Sequence, residues 1–243
     1  VAPPHFRRSP RTMTAVLIAS LVTSNAAITV TPLKAIVGAR AIAFAAAPTG
    51  TRFAASMEDG SIRIYDAKSR AMIKDLGKHP QPAYALTWSA DGAWIASGDE
   101  SARIYIWDTR TNKKVREFRT HTRGVQNLEF NYPRTKLLST GKDDTIKLYD
   151  MSTGKDTTIK GEGINFYSAR FIGRTNEFAV GTLGPGPRIY GSNNKVKGFL
   201  TGHNNQGCFD IDFNKATTRA VSAGKDGTAI IWDWKKNRKL NSL

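Results

Sequence analysis

Apolar and polar residues alternate at period two in many short stretches of this chain. Gln126-Asn-Leu-Glu-Phe130 and Thr145-Ile-Lys-Leu-Tyr149 are typical. Successive side chains of a β-strand point to opposite faces, so this alternation predicts half-buried strands. Turn-forming groups separate the stretches: Ser89-Ala-Asp-Gly92, Asp59-Gly60, Asp226-Gly227 and Asn193-Asn194. No window sustains the 3.6-residue period of an amphipathic helix. The pattern predicts an all-β chain of short antiparallel strands.

The pattern also repeats. Ile62-Arg-Ile-Tyr-Asp66, Ile104-Tyr-Ile-Trp-Asp108, Ile146-Lys-Leu-Tyr-Asp150, Arg188-Ile-Tyr-Gly191 and Ile230-Ile-Trp-Asp233 line up, with last residues 42, 42, 41 and 42 apart. Trp88, Phe130, Phe171 and Phe213 each lie 20 residues before those last residues. In the first unit the matching aromatic, Phe44, comes two residues early, which predicts a slightly longer loop there. Ser97, Ser139 and Ser222 lie 11 before, and Asp59, Asp143 and Asp226 lie 7 before. A unit of about 40 residues holding four short strands is one blade of a propeller.

These units resemble WD40 repeats. Trp107-Asp108 and Trp232-Asp233 are the dipeptide that names the repeat, with Tyr65-Asp66 and Tyr149-Asp150 as variants. Gly202-His203 matches the Gly-His pair, and Thr120-His121 is a variant of it. The resemblance covers about residues 28–243 and implies a WD40 β-propeller with five recognisable blades. The units run approximately 28–66, 67–108, 109–150, 151–191 and 192–233, with a final outer strand at 238–243, in a domain from 27 onward. In the family an amino-terminal outermost strand completes the last blade. Here Ile28–Leu33 and Arg238–Leu243 both stand at an outermost-strand position, one more than a ring of five needs. The surplus predicts an incomplete portion of a larger, seven-bladed propeller; an open or strained five-unit ring is the rival. Such a likeness is specific for fold and nearly silent about function.

The resemblance further implies a chain of structural hydrogen bonds inside each blade, made by a His, a Ser or Thr, an Asp and a Trp. The third unit has His121, Ser139, Asp143 and Tyr149, and the fifth has His203, Ser222, Asp226 and Trp232. The second has His79, Ser97 and Trp107, but Ser101 stands where the Asp is expected. The first has Asp59 but Val37 at the His position. The fourth, with Leu183-Gly-Pro-Gly-Pro187 and Tyr190-Gly191, lacks the set. Ser, His and Asp together invite a catalytic-triad reading. Their recurrence at the same repeat positions argues instead for satisfied buried polar groups, since an enzyme needs one site rather than one per blade. No catalytic, metal or cofactor residues are therefore expected. The single cysteine, Cys208, excludes an internal disulfide and any multi-cysteine metal site. It begins an inner strand and reads as a small buried hydrophobe.

Charge adds a partner class. In 243 residues, 36 Lys and Arg face 20 Asp and Glu, a net charge of +16, which biases the chain toward anionic partners. Loops joining strands one to two and three to four leave each blade on one side. That side collects eighteen basic residues against Asp91, Asp156 and Glu177, while the opposite side is slightly acidic. Arg110, Lys113, Lys114, Arg134, Lys136, Lys235, Lys236, Arg238 and Lys239 form the candidate anionic-partner face. Tyr132 and Trp234 are its clear aromatics, too few for single-strand nucleic-acid recognition by stacking.

The segment 1–26 resembles a secretory signal. Arg7, Arg8 and Arg11 precede the apolar stretch Ala15–Val22, and Ser24-Asn-Ala26 supplies small residues at a cleavage position. A strand of the domain is the alternative, and the stretch is too short to span a bilayer. A real signal places the chain outside the cytoplasm; otherwise it is cytoplasmic. The expected function is a non-catalytic scaffold binding a protein or an anionic surface (lipid, envelope polymer or acidic protein) through its faces. The alternatives are a propeller enzyme with a site at the central opening, and a cytoplasmic nucleic-acid-associated scaffold.

Overall fold

A computed structural model describes residues 40–161, 163–184 and 186–243. The signal-like segment, the strand expected at Ile28–Leu33, Val37 and Glu162 lie outside the described residues. The remainder forms five four-stranded antiparallel sheets, each with its strands in sequence order. The first holds β1 to β4 (Ala41–Ala46, Arg52–Met57, Ser61–Asp66, Met72–Lys78) and the second β5 to β8 (Ala83–Trp88, Trp94–Asp99, Ile104–Asp108, Lys113–Phe118). The third holds β9 to β12 (Val125–Phe130, Lys136–Gly141, Thr145–Asp150, Asp156–Lys160). The fourth holds β13 to β16 (Phe166–Phe171, Phe178–Thr182, Arg188–Tyr190, Val196–Phe199), and the fifth β17 to β20 (Cys208–Phe213, Ala220–Gly224, Ala229–Asp233, Arg238–Ser242). A single 3-10 turn, Trp234–Lys236, joins β19 to β20. The sequence units from 67 onward therefore straddle two sheets, each taking its first strand from the sheet before.

Every innermost strand carries a register irregularity near its start, as at Ala41/Ala43, Ala83/Ala85 and Cys208/Asp210. One extra residue in one strand increases the local twist, which suits a strand that must pack against its counterpart in the next sheet. The innermost strands do so in order, β1 on β5, β5 on β9, β9 on β13 and β13 on β17. One register expectation is corrected. Ala46, not Phe44, pairs with Phe53, as Phe130 pairs with Leu137 and Trp88 with Ile95. The β1–β2 turn has the same length as the β5–β6 turn, and Phe44 instead packs tilted on Phe53 at 6.0 Å.

The core lies between sheets. Leu138, Ile146 and Leu148 of the third sheet meet Phe166, Phe178 and Tyr190 of the fourth. Ala179 and Ile189 of the fourth meet Ile230 and Trp232 of the fifth. Burying a large apolar side chain this way stabilises by roughly 1.5–3 kcal/mol, so the stacked faces hold the sheets together. The outward face of the fifth sheet differs. Val221 is 44% exposed, whereas Leu138 at the same repeat position is fully buried.

Candidate interaction surface

Buried polar sets underlie the surface. In the third sheet His121 Nε2 and Ser139 Oγ are 2.7 Å apart, and His121 Nδ1 meets Asp143 at 3.0 Å. The Tyr149 hydroxyl pairs with Thr120 Oγ1 at 2.7 Å. In the fifth, His203 Nε2 meets Ser222 Oγ at 2.7 Å and Nδ1 meets Asp226 at 3.1 Å, while the Trp232 indole donates to Ser222 Oγ at 2.8 Å. A carboxylate only accepts, so Nδ1 carries the hydrogen and Nε2 accepts from the serine. Burial pushes the His121 imidazole below its ordinary value, against the pull of Asp143. Burial alone would raise the Asp143 carboxyl, but the Thr122 amide, His121 and Thr145 hold it below the usual range. Ser97, Ser139 and Ser222 are buried, so none presents a nucleophile to solvent.

The second sheet corrects the sequence reading. Ser101 does not replace the carboxylate; Asp99 supplies it, meeting His79 Nδ1 at 3.1 Å. Ser101 Oγ donates to both Asp99 oxygens at 2.9 Å, and Trp107 Nε1 donates to Ser97 Oγ at 2.7 Å.

In the first three sheets the turn after the third strand is seeded by the aspartate that ends that strand. Asp66 Oδ1 accepts from the amides of Lys68 and Ser69, Asp108 Oδ1 from Arg110 and Thr111, and Asp150 Oδ1 from Ser152 and Thr153. This is the Asx turn, a side chain standing in for a backbone acceptor. At Asp150 the Ser152 hydroxyl, then the Thr153 and Ser152 amides, lower the carboxyl to about 2. The turn projects basic residues away from the sheet.

The candidate basic residues fall into two groups. Arg134 lies in the β9–β10 turn and Lys136 opens β10, toward the innermost strands. Arg110, Lys113 and Lys114 flank the β7–β8 turn, and Lys235, Lys236, Arg238 and Lys239 flank the β19–β20 turn, toward the outermost strands. Three are engaged: Lys114 with Glu117 at 2.9 Å, Arg134 with Asp91 at 3.2 Å, and Arg238 with Asp233 at 3.4 Å. Arg110, Lys113, Lys136, Lys235, Lys236 and Lys239 form no ion pair among the described residues.

Besides Tyr132, which the sequence placed on this face, the structure adds Trp88 and Trp94, and each of the three carries an arginine. Arg52 lies 5.9 Å from the Trp88 ring centre, Arg134 4.1 Å over Trp94, and Arg174 4.1 Å over Tyr132. Each such contact is worth about 0.5–2 kcal/mol and fixes a guanidinium in place. A cleft of about 390 Å³ opens between the β13–β14 turn and the fifth sheet. Ile172, Arg174, Thr175, Lys215, Trp234 and Lys235 are among the residues that line it.

Comparison with known proteins agrees with this architecture. The model of the WD domain, G-beta repeat, matches residues 71–108, 112–150 and 194–233. WD repeat-containing protein 1 of Xenopus tropicalis is 35% identical over 109 residues, 42% of this chain and 18% of that protein. Meiotic recombination protein rec14 of Schizosaccharomyces pombe is 26% identical over 104 residues, 43% of this chain and 34% of that protein. U3 small nucleolar RNA-associated protein 15 homolog of Xenopus laevis is 27% identical over 90 residues, 37% of this chain and 18% of that protein. The matches thus span a minor share of each relative. Three matched repeats, a register of about 42 residues and five four-stranded sheets make this chain a member of the WD40-repeat family of β-propeller proteins.

Proposed function

We propose that this chain is a non-catalytic interaction scaffold whose basic face docks an acidic protein partner. The observation that carries this reading is the set of cations without an ion pair among the described residues: Lys136 at the β9–β10 turn, Arg110 and Lys113 at the β7–β8 turn, and Lys235, Lys236 and Lys239 at the β19–β20 turn. Surface charges that satisfy no partner of their own raise the encounter rate with an oppositely charged protein. The buried serines support the non-catalytic reading. An RNA-associated reading draws on the name of the Xenopus laevis relative. It is disfavoured because Arg134 and Arg174 occupy the Trp94 and Tyr132 faces on which bases would stack.

Retention on immobilised polyglutamate across a salt series tests the proposal. Retention that falls steeply with salt, and that drops on Lys113→Glu with Lys114→Glu or on Lys235→Glu with Lys236→Glu, supports it. No retention at low salt overturns it.

A further inference from the structure

We infer that the cleft between the β13–β14 turn and the fifth sheet binds an acidic peptide segment. A carboxylate would be held by Arg174, Lys215 and Lys235, and a neighbouring apolar side chain would rest on Trp234 and Ile172. The inference rests on the basic-face reading and narrows it to one place.

Three local departures from the repeat converge there. The first is the turn. Asp66, Asp108 and Asp150 each seed an Asx turn, but Asp233 does not; the 3-10 turn Trp234–Lys236 replaces it. Trp234 is thereby carried over the β17–β18 turn, where its indole donates to the Thr217 carbonyl at 2.9 Å. Its ring meets Phe213 edge-on at 5.5 Å, so the wall of the cleft is fixed from two sides. The second is Thr217 itself, with φ +53°, at the turn position where the first two sheets have Gly50 and Gly92. A β-branched residue in left-handed backbone costs free energy that its turn does not need. The third is Gly173, φ +60°, where a Cβ would come within 2.6 Å of Thr217 Cγ2. The two turns touch at this glycine, and any side chain there would spread them apart. Departures of this kind concentrate where a sequence serves something other than its fold.

The electrostatics select the ligand. Among the described residues neither Arg174, Lys215 nor Lys235 has an ion-pair partner. Glu177, the carboxylate in the lining, is held by Lys197 Nζ at 2.7 Å. The equivalent turn of the third sheet differs, for Arg134 there already has Asp91. In the cleft the corresponding partner is missing, and a ligand carboxylate would supply it. The Arg174 guanidinium, 4.1 Å over the Tyr132 ring, has no side-chain hydrogen bond or ion pair among the described residues, and its N–H groups suit paired contacts to a carboxylate. The apolar wall of Ile172 and Trp234 adds a place for an adjoining aliphatic side chain. One anchored indole is not a succession of stacking platforms, which favours a peptide over a nucleic-acid strand.

The test is fluorescence anisotropy with a labelled peptide of alternating glutamate and leucine. Its glutamine–leucine counterpart and an oligothymidylate of equal charge serve as comparison probes. Lys215→Glu with Lys235→Glu is compared with Lys68→Glu with Lys155→Glu, an equal change of charge at two turns outside the candidate face. All four lysines are exposed, so neither double substitution removes a buried contact, and the far-UV circular dichroism of both variants should match the parent. The cleft pair is expected to weaken the glutamate peptide by about tenfold or more, and the distant pair by less than about threefold. Equal losses would overturn the cleft while leaving the basic face standing. No binding of either charged probe at low salt would overturn both readings. Equal affinity for the glutamine peptide removes the carboxylate contact. Tighter oligothymidylate binding that the cleft pair abolishes removes the peptide assignment.

Discussion

Asp99 reaches the His79 imidazole from the end of β6, two residues after Ser97, whereas Asp143 and Asp226 reach theirs from four residues after Ser139 and Ser222. The same bond is thus made from two places in the hairpin. Asp99 is fully buried, and burial alone would raise its carboxyl; hydrogen bonds from His79, the Arg103 amide and Ser101 outweigh that and hold it below the usual range. Asp99→Ala leaves the buried His79 N–H without an acceptor and is expected to cost about 2–4 kcal/mol in urea unfolding at pH 7. Adding Ser101→Asp should restore little of it. A loss under about 1 kcal/mol would mean that the imidazole finds another acceptor.

Gly141 and Gly224 lie directly beneath the His–Asp bonds of their sheets. A Cβ at Gly141 would stand 2.4 Å from His121 Nδ1 and 2.6 Å from Asp143 Oδ1. At Gly224 the distances are 2.2 Å to His203 Nδ1 and 2.5 Å to Asp226 Oδ1. Alanine at either position must push the pair apart and should cost more than about 2 kcal/mol. Gly198→Ala, with nothing within 4 Å of its Cβ, should stay within about 0.5 kcal/mol of the parent and serves as the control. Equal melting temperatures for the three variants would refute the close approach.

The five-unit register was legible because large and β-branched residues repeat at fixed spacing, and because a strand's faces are set by parity. What escaped had local causes. Asp99 escaped because counting back from the last residue of the third strand lands on Ser101. Ala46 escaped because a methyl group carries no periodic signal while Phe44, two residues away on the same face, does. The cleft left one trace. Asp66, Asp108 and Asp150 are each followed three residues later by Ser69, Thr111 or Thr153, while Asp233 is followed by Lys236. The missing hydroxyl marks the turn that does not form, but not where Trp234 goes instead.

Thr217 should be replaceable at a gain. Asn214 Oδ1 accepts from the Thr218 and Arg219 amides, so the turn closes without help from the Thr217 side chain. Thr217→Asn relieves left-handed strain, which asparagine tolerates, and is expected to stabilise by about 0.5–1 kcal/mol by differential scanning calorimetry. A destabilised variant would show instead that the Thr217 methyl packing on Gly173 outweighs the backbone strain.

Cys208 should be inert while the protein is folded. Burial pushes its thiol up to about 12, and Sγ donates to the Asp210 carbonyl at 3.0 Å. The thiolate, the reactive form, is therefore scarce at neutral pH and is also shielded. Labelling by a thiol-reactive dye at pH 8 should proceed only as fast as the fifth sheet opens, and Asp99→Ala, in a remote sheet, should accelerate it only through global unfolding. Rapid stoichiometric labelling of the native protein would contradict the burial.

Glu129 gives the fold a pH dependence of defined sign. Its carboxylate accepts from the Phe171 amide, tying β9 to β13. Burial pushes its carboxyl up from 4.5 to about 7; the Arg170 guanidinium and the Phe171 amide pull it down, while Asp212 and Asp210 push it further up. Between those two values the folded protein holds a proton that the unfolded chain has released, so stability falls as pH rises across that window and levels above it. Below about pH 4.5 both states are protonated and the contribution is complete. Glu129→Gln keeps an acceptor for the Phe171 amide and cannot ionise, so it should abolish this component of the slope. The difference in unfolding free energy between variant and parent should grow in the variant's favour from pH 5 to pH 8, by an amount on the order of 2 kcal/mol. Subtracting the two curves removes the other carboxylates, which titrate alike in both proteins. Parallel curves across this range would place the Glu129 carboxylate in water, where it would contribute no slope.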